Sequence, residues 1–367
     1  MRILVANAGS SSLKLSLLDD RGLEPVADAE LDLGADATRA GGFNGLEAAL
    51  DRVQATSADA VGHRVVHGGP RTAPAMVDDA LLTEIEALDD LAPLHNAVAA
   101  AAIRELRRRL PSVPQVACFD TTFHASLPAA ASRYALPADW VERFGIRRYG
   151  FHGLSVAWSV KRVAALLDRP LGELGIVVAH LGSGASVTAV LGGRSVATSM
   201  GMTPLEGIVM GTRSGSVDPG ILLHLLRHGV GLEELEEGVA HRGGLLALHG
   251  SGGMRALEAN SAAGDTRAHE ALDLFVTRAA EGIAAAATAL RQLDALVFTG
   301  GIGENSATVR GRICERLAVL GIRPPESVEP GEDGVLVPGP PAVAVVRARE
   351  DVVIARQVRE LVTNLPA

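Results

Sequence analysis

Cysteine and aromatic side chains are scarce in this sequence. Cys118 and Cys314 are its two cysteines among 367 residues, and Phe, Trp and Tyr together make up 3%. Two thiols far apart in apolar surroundings do not form a disulfide framework, so we expect both to be reduced and buried, as in a cytoplasmic protein. Because 47% of the residues are nevertheless hydrophobic, the interior must be built mainly from Leu, Val, Ile and Ala.

A net positive charge and long apolar runs are also missing. The chain has 34 Lys and Arg against 43 Asp and Glu, a formal net charge of −9. Nucleic acids and anionic membranes are bound by basic surfaces, so we expect neither as the main partner. No apolar run reaches the roughly 20 residues that span a bilayer, and no cleavable apolar segment precedes the first strand at residues 3–5. These absences predict a soluble, cytoplasmic protein.

The two common phosphate-binding fingerprints are absent as well. Neither G-x-x-x-x-G-K-[ST] nor a Rossmann turn occurs. In their place stand two similar turns, Val-Ala-Asn-Ala-Gly-Ser-Ser-Ser at 5–12 and Val-Ala-His-Leu-Gly-Ser-Gly-Ala at 178–185. Each follows a strand and enters an alternating apolar run, so each predicts a β-hairpin whose tip offers backbone N–H groups and hydroxyls to anionic oxygens. The duplication predicts two halves that bind one nucleoside triphosphate, and hence phosphoryl transfer.

The pattern of elements predicts an α/β protein. A chain of 367 residues exceeds the usual size of a single core, so two domains are expected. Short apolar runs alternate with segments of helical periodicity. Predicted strands are 3–6, 113–119, 176–181, 295–299 and 343–346, and predicted helices are 80–89, 96–110, 265–290 and one from Asn305-Ser306 to Gly321. Asp218-Pro219 predicts a capped helix start, and 324–341 a surface loop.

A third glycine-rich element follows the predicted strand at 295–299. Residues 300–305, Gly-Gly-Ile-Gly-Glu-Asn, open a helix directly after a buried strand. Glycines allow close approach of a ligand to the backbone, and a helix N-terminus favours negative charge, so a nucleotide is expected here. A purely structural turn is the alternative.

Two arginines and several other polar residues lie in unusual surroundings. Arg64 and Arg213 each sit among small or apolar residues, where a guanidinium is costly unless it is paired. They could clamp an acceptor and a transferring phosphoryl group, or form structural ion pairs. Asp120 and Glu350 follow predicted strands, a favourable position for Mg²⁺. His152, flanked by glycines and aromatics, either faces a ligand or is structural.

Several longer stretches together resemble one enzyme family. They are 7–14 (Asn-Ala-Gly-Ser-Ser-Ser-Leu-Lys), 62–69, 92–96, 119–124, 150–153 (Gly-Phe-His-Gly), 203–215 and 299–305. Because they occur in the family's order nearly from end to end, the chain resembles the acetate kinases.

The resemblance implies two similar actin-like (ribonuclease H-like) α/β domains around a central cleft, in a homodimer. The expected N-terminal domain is 1–124, with a C-terminal helix at 352–367 packing back on it. The expected nucleotide-binding domain is 125–351, and the segment 124–136 is the candidate crossing between the two.

The resemblance also implies a role for each matching residue. Arg64, Asp120, His152 and Arg213 would be catalytic, and Arg64, Val66, Leu94, Phe151 and Pro204 would bind the acyl substrate. Asn7 and Glu350 would serve Mg²⁺, with Mn²⁺ as an alternative. ATP or ADP would be bound by Ser10, Ser12, Lys14, His180, Leu181, Gly182, Ser183, Gly184, Gly253, Met254, Arg255, Gly300, Gly301, Ile302, Gly303, Glu304 and Asn305.

The implied reaction is reversible in-line transfer of the ATP γ-phosphoryl group to acetate, which gives acetyl phosphate and ADP. A propionate or butyrate kinase of the same family is an alternative, because one methylene is worth only about 1–3 kcal/mol of discrimination. An actin-like assembly protein without catalysis is a second alternative. The chain departs from the family pattern at Ser183, Ser216 and Gly253, where asparagine, aspartate and aspartate are usual.

Overall fold

The computed structural model describes residues 1–9, 12–19, 24–33, 43–92, 95–325 and 332–364. Its strands are β1 (Arg2–Ala8), β2 (Ser12–Asp19), β3 (Pro25–Asp32), β4 (Ala60–Val65), β5 (Ala75–Met76), β6 (Gln115–Phe119), β7 (Gly175–Leu181), β8 (Ala185–Leu191), β9 (Arg194–Thr198), β10 (Ala295–Thr299), β11 (Gly334–Val337) and β12 (Ala342–Val345).

Helices connect and cover these strands. They are α1 (Leu46–Arg52), α2 (Asp79–Ala87), α3 (Asn96–Arg109), α4 (Ala129–Ser132), α5 (Ala138–Phe144), α6 (Gly153–Leu166), α7 (Pro219–Arg227), α8 (Leu232–Ala240), α9 (Gly244–His249), α10 (Met254–Ala262), α11 (Thr266–Ala287), α12 (Gly300–Asn305), α13 (Ala307–Arg316) and α14 (Glu350–Thr363).

The chain divides into two compact units. The first contains Met1–Ala125, Phe151–Trp158 and Arg349–Ala367, and the second contains Ser126–Gly150 and Ser159–Ala348. The chain therefore passes between the units at several points, and its C-terminal segment belongs with its N-terminal one. The domain limits expected from the sequence, 1–124 and 125–351, stay a prediction.

The two units have sheets of the same topology. In the first the strand order is β3-β2-β1-β4-β6-β5, and in the second it is β9-β8-β7-β10-β12-β11. In each, an antiparallel three-stranded meander is followed by two parallel strands and an antiparallel edge strand. The structure is thus an α/β fold of two similar domains, as the duplicated turns predicted.

The core of the first unit is aliphatic. Leu13, Leu15 and Leu17 alternate along β2 and are fully buried. They share one face of the sheet because successive side chains of a strand point to opposite sides. Helix α14 packs on β1, β4 and β6, and Gly62 permits this approach, since a Cβ there would lie 2.5 Å from Ile354 Cγ2 and 2.7 Å from Val358 Cγ2.

Most predicted elements are present within a residue or two of their expected limits. Asp218 caps α7 by accepting a hydrogen bond from the Gly220 amide, with Pro219 as the first helical residue. Two predictions differ from the structure. The helix expected from Asn305 to Gly321 is α13 followed by a separate 3-10 turn, Ala318–Leu320. The expected loop 324–341 contains the strand β11, which pairs with β12, whereas residues 326–331 lie outside the described part.

The two cysteines are buried, as expected from the sequence. Cys118 and Cys314 are both buried, and burial raises the pKa of each thiol. Across the described ranges of the chain, every helix is too short or too polar to cross a bilayer.

Candidate active site

The parallel strands β1, β4 and β6 end at one edge of the first sheet. Ala6 is in register with His63 across β1 and β4, and Val65 with Phe119 across β4 and β6. The residues that follow in each strand are therefore neighbours at this edge. Asn7, Arg64 and Asp120 meet there, and helix α14 adds Glu350, its first residue.

Arg64 is the centre of this cluster. Its Nη2 donates to Asp120 Oδ2 at 2.7 Å, and its Nε lies 3.3 Å from Asp120 Oδ1. Its Nη1 donates to Asn7 Oδ1 at 3.2 Å and lies 3.4 Å from Glu350 Oε2. The amide of Asn7 in turn donates to Glu350 Oε2 at 2.8 Å. One guanidinium is thus shared by two carboxylates and an amide, all largely buried.

Burial and the neighbouring charges shift the pKa values of Asp120 and Arg64. Burial raises the pKa of Asp120, and this outweighs the opposite effect of Arg64, while the charge of Glu350 raises it further. Burial lowers the pKa of Arg64, but Asp120 and Glu350 more than reverse this and raise it overall. Arg64 is charged at any physiological pH, and the cluster contains two carboxyl groups for one guanidinium.

The segment that carries His152 is fixed against Asp120 through its backbone. The Asp120 carboxylate accepts a hydrogen bond from the His152 amide, and the Gly153 amide donates to the Asp120 carbonyl at 3.0 Å. His152 has a φ of 56°, in the left-handed region. A Cβ on Gly153 would overlap the Asp120 carbonyl oxygen, so glycine is required for this close approach.

Two of the predicted acyl-binding residues of the first unit, Val66 and Phe151, lie near the buried, hydrogen-bonded pair His67 and Asn96. Val66 and Phe151 are buried, and the Phe151 ring meets His67 edge-on at 5.4 Å between centroids. Asn96 holds His67 by accepting from its amide and donating to its carbonyl, both at 3.0 Å. Leu94, the third predicted member, lies outside the described residues.

The first hairpin, β1–β2, carries three of the residues predicted to bind phosphate, Ser10, Ser12 and Lys14. The Gly9 amide donates to the Ser12 carbonyl at 2.8 Å, which closes the turn, and Ser10 lies outside the described residues. Lys14 is directly opposite Asn7 in the β1–β2 register, so both side chains share one face. Its Nζ lies 3.7 Å from Glu30 Oε1, and both side chains are exposed.

In the second unit the strands β7 and β10 end together, in register from Ala295 to Thr299. His180 ends next to the glycine turn that opens α12: a Cβ on Gly300 would lie 3.1 Å from His180 Nε2 and 2.8 Å from the Leu181 carbonyl oxygen. Gly300 also has a φ of 78°. The separate turn between β7 and β8 is closed by the Gly182 amide, which donates to the Gly184 carbonyl at 2.9 Å.

Helix α12 is fixed at both ends. Glu304 Oε1 accepts from the amides of Gly300 and Ala348, each at 2.9 Å. The buried Arg310 donates to the carbonyls of Gly303 and Glu304 at 2.8 and 2.9 Å. Asn305 donates to the Gly301 carbonyl at 2.8 Å. Glu304, Gly303 and Asn305 therefore have structural contacts in addition to any role toward a ligand.

One further loop of the second unit reaches the Gly182–Gly184 turn, and a second loop packs against the first. The Gly211 amide donates to the Ser183 carbonyl at 3.3 Å, and a Cβ on Gly252 would lie 2.9 Å from the Gly211 carbonyl oxygen. Gly252 leads into Gly253, Met254 and Arg255 at the start of α10, where Met254 is buried and Arg255 is exposed. The structure thus brings together three of the predicted nucleotide loops.

Arg213 differs from Arg64 in its partners. Its Nη1 donates to the Pro204 carbonyl at 3.1 Å and lies 3.7 Å from Met210 Sδ. No Asp or Glu among the described residues forms an ion pair with it. Burial lowers its pKa. A partly buried, uncompensated guanidinium is suited to an anionic ligand.

Comparisons with known proteins agree with the motifs. The model of the acetokinase family matches residues 28–356. The chain belongs to the acetokinase family. Curated members of that family include the acetate kinase of Deinococcus radiodurans, 43% identical over 99% of this chain and 98% of the relative, and that of Leifsonia xyli, 45% identical over 98% of each.

Solved structures of family members share the fold. The propionate kinase of Francisella tularensis is 33% identical, with a TM-score of 0.87, over 98% of this chain and 99% of that one. The acetate kinase of Porphyromonas gingivalis is 32% identical, with a TM-score of 0.85 and the same coverage. Members of the acetokinase family are kinases, so this chain is a phosphotransferase.

Three residues to which the sequence motifs assign no role, Thr121 and Asn96 in the first unit and Glu206 in the second, have specific contacts in the structure. Thr121 Oγ1 accepts from the Gly68 amide at 3.2 Å, and Asn96 holds His67 as described above. Glu206, which entered only as part of a motif, binds Arg148 and Tyr134. All three residues lie within motifs of the sequence, at 92–96, 119–124 and 203–215, but the partners they contact are distant in the chain.

Proposed function

We propose that this chain transfers the γ-phosphoryl group of ATP directly to acetate, which gives acetyl phosphate and ADP reversibly. The observation that carries the proposal is the buried cluster of Asn7, Arg64, Asp120 and Glu350 in a chain of the acetokinase family.

The acceptor supplies its own nucleophile. A short carboxylic acid is ionised at neutral pH, because its pKa is close to that of Asp or Glu side chains. No side chain has to remove a proton, so catalysis consists of positioning the two substrates and stabilising charge on the transferring group. This agrees with a site rich in arginine and histidine.

The two arginines have separate roles in this mechanism. Arg213, which has no carboxylate partner in the part of the chain that the structure describes, binds oxygens of the acceptor and of the phosphoryl group. Arg64 is oriented by Asp120, Asn7 and Glu350. The part of its guanidinium group that these residues leave exposed faces the phosphoryl oxygens. His152, whose backbone is anchored to Asp120, stabilises charge on the group in transfer.

The ligand set at the strand ends fits Mg²⁺. Two carboxylates, from Asp120 and Glu350, and the amide of Asn7 supply oxygen and share a single guanidinium. Mg²⁺ usually takes one or two carboxylates and completes its shell with water and phosphate oxygens. When bound, the ion neutralises charge on the β- and γ-phosphates.

The nucleotide is assigned to the second unit. The Gly182–Gly184 turn, the loop before α10 and the Gly300–Asn305 turn lie together there. Their small residues leave backbone N–H groups accessible to phosphate and leave room for a nucleoside. We assign the phosphates to His180, Leu181 and residues 182–184, and the nucleoside to residues 253–255 and 300–305.

We also propose that the protein is a cytoplasmic homodimer. Helices α7 and α8 have no buried residue, and Ile221, Leu223 and Leu232 are exposed on them. Such an apolar surface supports pairing with a second copy. Light scattering should give twice the chain mass of 38.0 kDa.

Trapping of the product tests the reaction. Purified protein is incubated with ATP, Mg²⁺ and hydroxylamine, which converts an acyl phosphate to a hydroxamate, and with acetate, propionate or butyrate. We expect hydroxamate and ADP in equal amounts with acetate, and neither without an acid. ADP formation that is independent of any carboxylate would contradict the proposal.

Propionate is a second candidate acceptor, because the family member with a TM-score of 0.87 is named a propionate kinase. Val66, Phe151 and Pro204 are predicted to contact the acyl group, and one methylene alters discrimination by about 10- to 200-fold. The ratio of kcat/KM for acetate and propionate decides between the two acids.

A further inference from the structure

Glu206 lies in a compact polar network of the second unit. Its Oε1 accepts from Arg148 Nη2 at 2.7 Å, and its Oε2 accepts from the Tyr134 hydroxyl. Arg148 also donates to the carbonyls of Ser199 and Met200, at 3.0 and 2.9 Å, and its guanidinium lies over the Tyr134 ring. The network therefore ties Glu206 to the strand end at Ser199.

The same network fixes the backbone just before Glu206. The Tyr134 hydroxyl accepts from the Met202 amide at 3.2 Å, and the Gly201 carbonyl accepts from the amides of Tyr149 and Gly150. A Cβ on Gly201 would overlap both Glu206 Oε2 and the Tyr134 oxygen. The loop at 199–207 is thus closely packed around the Glu206 carboxylate.

On the other side of Glu206, the loop is held by Ser216. The Gly207 amide donates to Ser216 Oγ at 3.1 Å, and the Ser216 amide donates to the Gly207 carbonyl at 2.9 Å. Between these two anchors stands Pro204, whose carbonyl is the acceptor for Arg213 Nη1. The position of that guanidinium therefore depends on how firmly the loop is held.

We propose that Glu206, held by Arg148 and Tyr134, is a positioning residue that sets the acceptor side of the site through Pro204 and Arg213. This inference rests on the proposed function for its kinetic consequences. Arg213 has no carboxylate of its own among the described residues, so its orientation depends mainly on the hydrogen bond to the Pro204 carbonyl, beside the weaker contact with Met210 Sδ. Loss of the Glu206 anchor should weaken acceptor binding and leave nucleotide binding intact.

The test compares Glu206→Gln and Tyr134→Phe with the wild type and a matched control. The control is Asp294→Asn, which removes a buried carboxylate that also binds an arginine and an amide, Arg169 at 2.7 Å and Gly175 at 2.8 Å. Asp294 lies at the opposite ends of β7 and β10 from the glycine turns. The three variants are measured for KM of acetate, KM of ATP and the acetate-to-propionate ratio of kcat/KM.

We expect Glu206→Gln to raise the KM of acetate at least tenfold, to change the acetate-to-propionate ratio, and to leave the KM of ATP within twofold. Tyr134→Phe, which loses one hydroxyl and should fold even if Glu206→Gln does not, is expected to raise the KM of acetate about threefold. Asp294→Asn should lower the melting temperature without changing either KM. An acetate KM within twofold of wild type in both Glu206→Gln and Tyr134→Phe overturns the inference.

Hydrogen exchange separates this inference from the proposed function. Exchange of the amides at 199–216 should accelerate in Glu206→Gln and Tyr134→Phe but not in Asp294→Asn, whether or not the protein acts on acetate. If the wild type forms no acyl phosphate, the proposed function fails, and exchange alone decides whether Glu206 holds the loop. Unchanged exchange in both loop variants overturns the inference.

Discussion

Arg64 of the first unit and Arg213 of the second illustrate two different surroundings for an arginine side chain. Arg64 is surrounded by partners from β1, β6 and α14, so its charge is already compensated. Arg213 touches a carbonyl and a thioether, so most of its hydrogen-bonding capacity is free for substrate. The difference predicts that Arg64 contributes to both stability and catalysis and Arg213 mainly to catalysis.

The first prediction concerns Arg213. Arg213→Ala should lower kcat for acetate by about a hundred- to a thousandfold, as loss of one charge-stabilising donor does in other sites. The melting temperature should hardly change, because no ion pair is broken. Steady-state kinetics and thermal unfolding measure both quantities.

The control is Arg278→Ala on α11, which removes an exposed arginine paired with Glu281 and should leave kcat unaltered. Near-normal turnover by Arg213→Ala would remove this guanidinium from the mechanism.

At the scale of elements, the contact between α14 and β4 links packing to the site. Helix α14 begins with Glu350, which binds Asn7 and Arg64, and its apolar face lies against Gly62 of β4. The helix can approach the strand this closely only because position 62 has no side chain. A glycine in a strand interior is otherwise unfavourable, so this one has a packing role.

The second prediction concerns that contact. Gly62→Ala should lower the free energy of unfolding by about 1–3 kcal/mol, because the new methyl group overpacks against Ile354 and Val358. Glu350 should also shift, so kcat should fall. Urea unfolding is followed by the fluorescence of Trp158 in a Trp140→Phe background, which leaves the tryptophan of the first unit as the reporter.

Gly311→Ala in the second unit serves as the control, and its unfolding is followed by the fluorescence of Trp140 in a Trp158→Phe background. Gly311 is in the interior of α13 and a Cβ there meets nothing within 4 Å, so alanine should stabilise by about 0.5–1 kcal/mol. Equal stabilisation by Gly62→Ala would show that α14 does not depend on this glycine.

At the scale of the whole molecule, the two units share a sheet topology but differ in their buried histidines. His63 and His124, both in the first unit, are completely buried. Burial lowers the pKa of each to about 4. His63 is bonded to Gln115 and His124 to the Phe151 carbonyl. Protonation of these two histidines in mild acid should therefore lower the free energy of unfolding of the first unit.

The third prediction gives the sign of this effect. The unfolded chain binds protons at these histidines below about pH 6.5, whereas the folded unit does so only near pH 4. The stability that these two neutral histidines contribute is therefore complete above about pH 6.5 and falls as the pH drops toward 4, by up to about 1.4 kcal/mol per pH unit for each histidine. The raised pKa of Asp120 acts in the opposite direction below about pH 6, so the two histidines together should outweigh it. Urea unfolding at pH 7, 6 and 5, with Trp158 as the reporter, measures the slope.

His63→Gln should flatten this slope, and His224→Gln, at an exposed position of α7, should not change it. An unchanged slope in His63→Gln would mean that its protonation is not coupled to unfolding.

Local patterns were sufficient to predict much of the fold. The hairpins β1–β2 and β7–β8 follow from apolar alternation around a Gly- and Ser-rich turn, and both are present. Helix α11 is capped by Asp265, as its sequence indicates. The strand β11 was missed, because its four residues are set within prolines and glycines and are recognisable only once β12 lies beside them.

The sequence by itself determined the family, the α/β class and the list of residues available for chemistry, because these depend on local pattern and residue type. Only the tertiary structure decided which of those residues meet. Asp120 and Asn7 stand 56 and 57 positions from Arg64, and they reach it because β1, β4 and β6 are parallel neighbours with a common edge. Likewise, Glu206 became a candidate only when its partners Tyr134 and Arg148, 72 and 58 positions away, were seen around it. Strand order and loop packing are non-local properties, and no window of sequence contains them.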